Sequence, residues 1–435
     1  MKFLKVSYRI ILGIILLTSL GACLDELDIQ TLSNEEQEPV LVVEAVLTDE
    51  LITQKVYLSR SSLRLDLETD TVYNPNVPLG RGPRDSVDME GGATVRVLGE
   101  NGIEFNFTEG EEGTYLSNQP FALEMGVDYT LEIVTSNGRE YVSDPLNVQG
   151  KSQLTNVYAE KAVSDTGVEG VAIYLDSEPT QGNPKNYRYT YEETYKIIAP
   201  YWQENDFELT DYDPTTTPFP TYNLEIVPRE IQNRICYNTV FSSTIDQIST
   251  VGTGAGIQRH MVRFIGKENF IISHRYSILV KQQVQSADAY SFYETLKSFS
   301  QSENVFSQVQ PGALNANVRR VDGAEENILG YVEAVTVSER RLFFDYEDFF
   351  PGEELPPYAF GFNCNFQTSP LFTVRGCPQG VLDRVDLGLI TYYAPYDESL
   401  VPLATCIGPY VFVPRLCGDC TLLGDNVEPD FWVEE

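Results

Sequence analysis

"GGATVRVLGENGIEFNFTEG", Gly91–Gly110, decides how the rest of the chain is read. Two alternating apolar–polar runs flank Glu100-Asn101-Gly102. Asn-Gly tolerates the positive φ angles of a tight hairpin turn, and alternation puts one face of each run into a core. The stretch therefore reads as a β-hairpin. The same signals recur on both sides. "PVLVVEAVLTD" (39–49), "QKVYLSRSS" (54–62) and "GTYLSN" (113–118) are short strand-like runs ending in turn residues. "VDYTLEIVTSNGREYVSD" (127–144) repeats the hairpin, with Asn137-Gly138 as its turn. Six or seven short strands with no helical periodicity predict an immunoglobulin-like β-sandwich over residues 38–149. The proline- and glycine-rich stretch Asp66–Gly92 reads as a loop or insertion.

Residues 150–435 predict a larger β-rich domain. "GVAIYLDS" (170–177) and "NYRYTYEETYKIIAPYW" (186–202) look like strands, and "NFIISHRYSILVKQQVQ" (269–285) like one or two more. In "SADAYSFYETLKSFSQS" (286–302) the period changes. Ala289, Phe292 or Tyr293, Leu296 and Phe299 fall at helical spacing behind a Ser286 N-cap, which predicts one prominent helix at about 287–299. "ENILGYVEAVTVSERRLFFDYE" (326–347) returns to strand. From Phe350 onward the chain is rich in Pro, Gly and Cys and reads as loops with short strands. The expected fold class is mainly β.

The composition agrees. Tyrosine occurs 26 times and phenylalanine 22, against two histidines, and rings of this kind favour strands. The formal charge of −34 is not a sign of disorder, because 42% of residues are apolar. It does exclude nucleic acid as a partner, since a polyanion is repelled.

The first residues place the chain. Lys2, Lys5 and Arg9 precede the apolar run Ile10–Leu17, which is too short for a comfortable membrane span. Basic start, short apolar core and small residues read as a signal peptide over 1–22. Leu20-Gly21-Ala22-Cys23 resembles the bacterial lipobox, which implies cleavage before Cys23 and acylation (palmitate-type chains) of that residue. Residues 23–37 form an acidic linker. Asp25, Glu26 and Asp28 resemble the signal that sends Bacteroidota lipoproteins to the cell surface; the bland alternative is a solvated charge cluster.

With the lipobox, "LVVEAVLTDE", "VYLSRS", "GGATVRV", "YSILVKQQVQSADAYSFYETLKSF", "ILGYVEAVTV" and the ending "CGDCTLLGDNVEPDFW" in this order, the chain resembles the domain-of-unknown-function 4249 family of Bacteroidota outer-membrane lipoproteins. The resemblance spans nearly all of the chain after Cys23. It implies an accessory lipoprotein that works beside a TonB-dependent outer-membrane transporter. It supplies no catalytic residues.

Seven cysteines less Cys23 leave Cys236, Cys364, Cys377, Cys406, Cys417 and Cys420. An even number in an exported chain favours disulfides, with connectivity open. Cys417-Gly418-Asp419-Cys420 is a C-x-x-C, so a zinc half-site or a redox pair are the alternatives. A zinc site lacks a neighbouring His or second C-x-x-C, and the redox reading lacks a βαβ setting. No metal and no cofactor are expected.

No catalytic residue stands out either. His260 and His274 sit singly in strand-like runs. No G-x-S-x-G is present, and "VGTGAG" (251–256) lacks dinucleotide-binding spacing. "DYDP" (211–214) and "DYEDFF" (345–350) offer oxygen ligands without the order of a calcium loop. Tyr201, Trp202, Phe207 and Tyr212 lie in the aromatic, Pro-rich segment 195–223. They are candidates for contact with a partner, a small nutrient or a glycan; the alternative is that they cap a core. Asp70-Thr71-Val72 and Asp85-Ser86-Val87 resemble the tripeptide O-glycosylated in exported Bacteroidota proteins, which makes Thr71 and Ser86 candidates for modification. The sequence thus predicts a lipid-anchored outer-membrane protein facing the cell surface, an accessory or ligand-binding partner of a transporter. A secreted hydrolase with an unrecognised site and a structural adhesin are the alternatives.

Overall fold

The structure, a computed structural model, describes residues 39–61, 88–182, 185–301 and 316–434. It is mainly β. Strands β1 (Val40–Thr48), β2 (Lys55–Ser61), β3 (Asp88–Met89), β4 (Thr94–Gly99), β5 (Glu104–Glu109), β6 (Thr114–Ser117), β7 (Tyr129–Val134) and β8 (Glu140–Ser143) build the first core. They run in the order β1-β2-β6-β5-β4-β7-β8, with β3 attached to β2 inside the stretch read as a loop. Alternation does what the sequence requires. Leu41, Val43, Ala45 and Leu47 of β1 enter one core with Val95 and Val97 of β4 and Leu131 and Ile133 of β7. Strands from both ends of the path share that core, so the sheet folds over it as a sandwich. Each of these Val, Leu and Ile side chains contributes roughly 1.5–3 kcal/mol on burial. Both Asn-Gly turns form as read: Gly102 has φ +82° and Gly138 φ +81°, and the Asn101 side chain accepts from the Ile103 amide at 3.2 Å.

The second core lies between two sheets. One contains β10 (Leu154–Val163), β11 (Glu169–Ser177) and β18 (His260–Gly266); the other contains β13 (Asn186–Ile198), β16 (Ile235–Phe241), β17 (Asp246–Ser249) and β19 (Tyr276–Gln285). Ile173 and Leu175 from the first sheet share a core with Tyr187, Tyr189, Ile278 and Val280 from the second. Short β9 (Gly150–Lys151) and β12 (Gln181–Gly182) pair with each other, and β14 (Asn205–Asp213) with β15 (Thr221–Pro228) makes a separate hairpin. "NFIIS" is not strand. Phe270–Ile272 forms a 3-10 turn because the Asn269 side chain accepts from the Ile271 amide and all three apolar residues turn inward.

One long strand joins the cores. After β20 (Val318–Arg320) and β21 (Ile328–Leu329), the first residues of β22 (Val332–Phe344) run parallel to β1, and the rest pairs antiparallel with β19. The same stretch reaches both ends of the first sandwich: β20 pairs with β8 and β21 with β1. The Asn317 side chain completes the seam, donating to Val332 O at 2.7 Å and accepting from Val332 N at 2.9 Å. The helix Ala287–Gln301 agrees with its predicted span within two residues, and Ser286 Oγ accepts from the Ala289 amide at 3.1 Å. The tail adds β23 (Gln367–Thr368), β24 (Ile390–Pro395), β25 (Tyr410–Pro414) and the short helix Val381–Asp386. The described residues from Val40 onward form one compact unit.

Gly330 separates β21 from β22 with φ +87°. A Cβ there would fall far inside contact distance of the Val43 carbonyl oxygen. Gly330→Ala is expected to cost about 2–4 kcal/mol, the left-handed penalty plus the displacement of β1. Gly102→Ala shares the positive φ but meets nothing within 4 Å, so about 1 kcal/mol is expected. Urea denaturation of both variants measures the difference, and equal midpoints would show that the close approach to β1 is not what Gly330 serves.

Candidate functional site

The aromatic segment is structured, not a free loop. Tyr201 packs between Phe366 and Tyr393, with ring centroids 4.8 and 6.0 Å away. Trp202 lies against the second core and its Nε1 donates to Asn233 Oδ1 at 2.7 Å. Phe207 meets the edges of Tyr392 and Tyr410 at 5.5 and 5.4 Å. Tyr212 donates its hydroxyl to Asp383 Oδ1 at 2.5 Å; burial and that carboxylate push its pKa up to about 12. Only the prolines between β14 and β15 form a tip, where Phe219 is exposed beside Phe372. All four flagged aromatics thus have partners within the chain, and Phe207 also faces a pocket.

That pocket, of about 330 Å³, sits at the base of the β14–β15 hairpin. Four separated segments build it: Asp206 and Phe207 from β14, Arg229 to Asn233 after β15, Val385 to Thr391 leading into β24, and Arg415 with Asp419 in the tail. Phe207, Val385 and Ile390 give it an apolar wall. Charged groups face each other across the rest. Arg229 pairs with Asp206 at 2.9 Å with side chains 8% and 23% exposed, and Arg415 Nε with Asp419 Oδ2 at 3.2 Å.

Of the three lining carboxylates, Glu230 is exposed, while Asp206 and Asp419 are occupied from within. Asp206 Oδ1 accepts from the amides of Phe207 and Tyr392, each at 2.8 Å. Burial nevertheless raises its pKa, opposed by Arg229 and those amides. Asp419 Oδ1 accepts from the Thr421 amide at 3.0 Å and hydroxyl at 2.6 Å. The guanidiniums are less committed. Arg229 Nε donates to Gln203 O at 3.0 Å, but neither its Nη1 nor either Nη of Arg415 has a hydrogen-bond acceptor among the described residues. Thr391 is buried and its hydroxyl is without a partner there as well.

Two disulfides frame this site. Cys420 is bonded to Cys236 of β16, and Cys417 to Cys364; Cys377 pairs with Cys406. The two cysteines of the C-x-x-C therefore reach to different distant segments, one on each side of Asp419. This holds the Asp419 carboxylate in place against Arg415. The remaining candidates lie elsewhere. His260 Nε2 is 3.0 Å from both oxygens of Asp246 and its ring lies by Tyr189. His274 is half-buried, and burial lowers its pKa, with Lys196 adding to the effect. Asp213 accepts from Thr215, and Asp345 pairs with Arg275. Among the described residues, no group of three or more His, Cys, Asp or Glu is placed to hold a metal ion. Cys23, Thr71 and Ser86 lie outside the described residues.

Sequence reasoning flagged Phe207 but missed Arg229, Arg415, Asp206, Asp419 and Thr391. A single Arg or Asp at a strand end reads as surface, and only the fold brings these together. The one signal available was the tail spacing Arg415–Asp419 around the C-x-x-C. A family model described as a domain of unknown function (DUF4249) matches residues 25–341. No curated protein matches the chain.

Proposed function

As the chain belongs to the DUF4249 family, we propose that it is a cell-envelope lipoprotein, anchored through Cys23 to the outer membrane, facing the cell surface, and serving a TonB-dependent transporter as a ligand-binding accessory. The cysteine balance carries this reading. Of seven cysteines, six pair with one another. By count Cys23 is the one left over, and it follows Leu20-Gly21-Ala22. Three disulfides also suit an oxidising compartment outside the cytoplasm. Among the described residues no helix is long and apolar enough to cross a membrane. Acyl chains on Cys23 would supply the attachment, each buried methylene adding about 0.8 kcal/mol. Asp25, Glu26 and Asp28 support the outward-facing side, and the pocket at the hairpin base supports a binding role.

Cys23→Ser tests the anchor. The thiol is the acceptor for the diacylglyceryl group, so the variant is expected to lose all label from a fed fatty acid and to leave the membrane fraction. Equal labelling of variant and wild type would overturn the lipoprotein reading. Cross-linking in the native host followed by purification is expected to bring down a barrel protein with the wild-type chain. Recovery of the chain alone would count against the transporter.

A further inference from the structure

We propose that the pocket at the base of the β14–β15 hairpin binds a small organic carboxylate with an apolar body. This deepens the ligand-binding part of the proposed function and is independent of the anchor and the transporter. The argument is a balance of donors and acceptors. Inside the pocket Asp206 and Asp419 each already accept from two groups through Oδ1 and face an arginine through Oδ2. A cation entering would find both engaged; the third lining carboxylate, Glu230, is exposed to solvent. Arg229 and Arg415 keep N–H groups that no described residue accepts. The Arg229 side chain is only 8% exposed, and its Nη2, 2.9 Å from Asp206 Oδ2, is buried without a hydrogen bond among the described residues, whereas buried donors are almost always satisfied. The buried Thr391 hydroxyl adds a further unpartnered polar group in the lining. What the buried part of the pocket lacks is an acceptor.

The shape of the acceptor follows from the guanidinium. Its planar fork matches the two oxygens of a carboxylate in charge-assisted hydrogen bonds. Phe207, Val385 and Ile390 opposite make a surface for hydrocarbon, not for a hydrated ion. The volume of 330 Å³ is at the small end of ligand pockets. Two disulfides hold Asp419 and thereby Arg415, so the site is formed before the ligand arrives.

Titration calorimetry on the full chain in detergent tests this with three probes. Phenylacetate carries a carboxylate on an apolar ring. 2-Phenylethanol keeps the ring without the charge, and inorganic phosphate keeps the charge without the ring. Phenylacetate is expected to bind at one site, about ten-fold or more tighter than either of the others. Arg415→Gln is expected to weaken phenylacetate about ten-fold. Because that change touches Asp419 and the tail, Ile231 supplies a second test. It lines the mouth and is 61% exposed, so either charge is tolerated there. Ile231→Lys is expected to tighten phenylacetate and Ile231→Glu to weaken it, each by about five-fold. The proposal is overturned if phenylacetate binds no better than 2-phenylethanol or phosphate. It is overturned equally if the two Ile231 variants shift affinity in the same direction. Failure of the anchor or transporter experiments leaves these isotherms unchanged.

Discussion

Glu333→Ala is expected to destabilise the protein by about 3–5 kcal/mol, because it leaves a buried guanidinium without its anion. Glu333 in β22 is 3% exposed and forms an ion pair with Arg188 of β13, whose side chain is 9% exposed. Gln285 Nε2 donates to the other Glu333 oxygen at 3.1 Å, and Arg188 Nε donates to Gln283 Oε1 at 2.8 Å. The Tyr293 ring of the helix Ala287–Gln301 lies over the guanidinium, 4.2 Å from Arg188 Cζ. Burial alone would lower the arginine pKa; Glu333 and Tyr293 together more than reverse this, so Arg188 stays charged. Water does not reach the group to replace the lost carboxylate. Removing both charges is another matter. Arg188→Met with Glu333→Leu is expected within about 1–2 kcal/mol of wild type, the residue reflecting Gln285 left without its acceptor. Urea denaturation with disulfides intact separates the cases through the midpoint at unchanged slope. A single variant as stable as the double would show that the pair is not what holds the helix side of the second core.

The same network marks where sequence reading stopped. The helix was legible because Ser286 and the spacing of Ala289, Phe292 and Leu296 are local signals. The two hairpins were legible because Asn101-Gly102 and Asn137-Gly138 each dictate their own turn. Arg188 and Glu333 carry no such mark. Each sits in a run that reads as an ordinary strand, and their meeting depends on β13 and β22 both flanking β19. The parallel pairing of β1 with β22 is invisible for the same reason, since its register joins Ala45 to Val332 across most of the chain. The hairpin β14–β15 was obscured differently. Prolines at its tip and acids along its exposed face weaken the alternation that Phe207, Leu209 and Leu224 would otherwise show. Cysteines are the extreme case: their presence predicts bonding, but partners 184 residues apart are fixed only by the fold.

That long bridge should matter most among the three. Cys236→Ala with Cys420→Ala is expected to cost about 5 kcal/mol, the upper end of the usual range, because the loop it closes in the unfolded chain is the longest. Its sulfurs are also fully buried in the second core, so two apolar contacts go with the bond. Locally it ties the tail to the sheet. Tyr237 N donates to Asp425 O at 2.8 Å and Asp425 N to Tyr237 O at 2.9 Å, just beyond the bonded cysteines. The Tyr237 ring then supports Trp432 at 4.9 Å. The Cys377–Cys406 bridge spans 29 residues. Chain entropy assigns its removal about 3.6 kcal/mol, and both cysteines are half-buried in the loop-rich tail, so little packing is lost with it. Denaturation midpoints of the two double variants should therefore rank in that order. The pocket supplies an independent readout: Asp419 lies next to Cys420, so phenylacetate affinity should fall with the first pair and hold with the second. If the short bridge proved the costlier to remove, neither loop length nor burial in the second core would be what makes these disulfides stabilising.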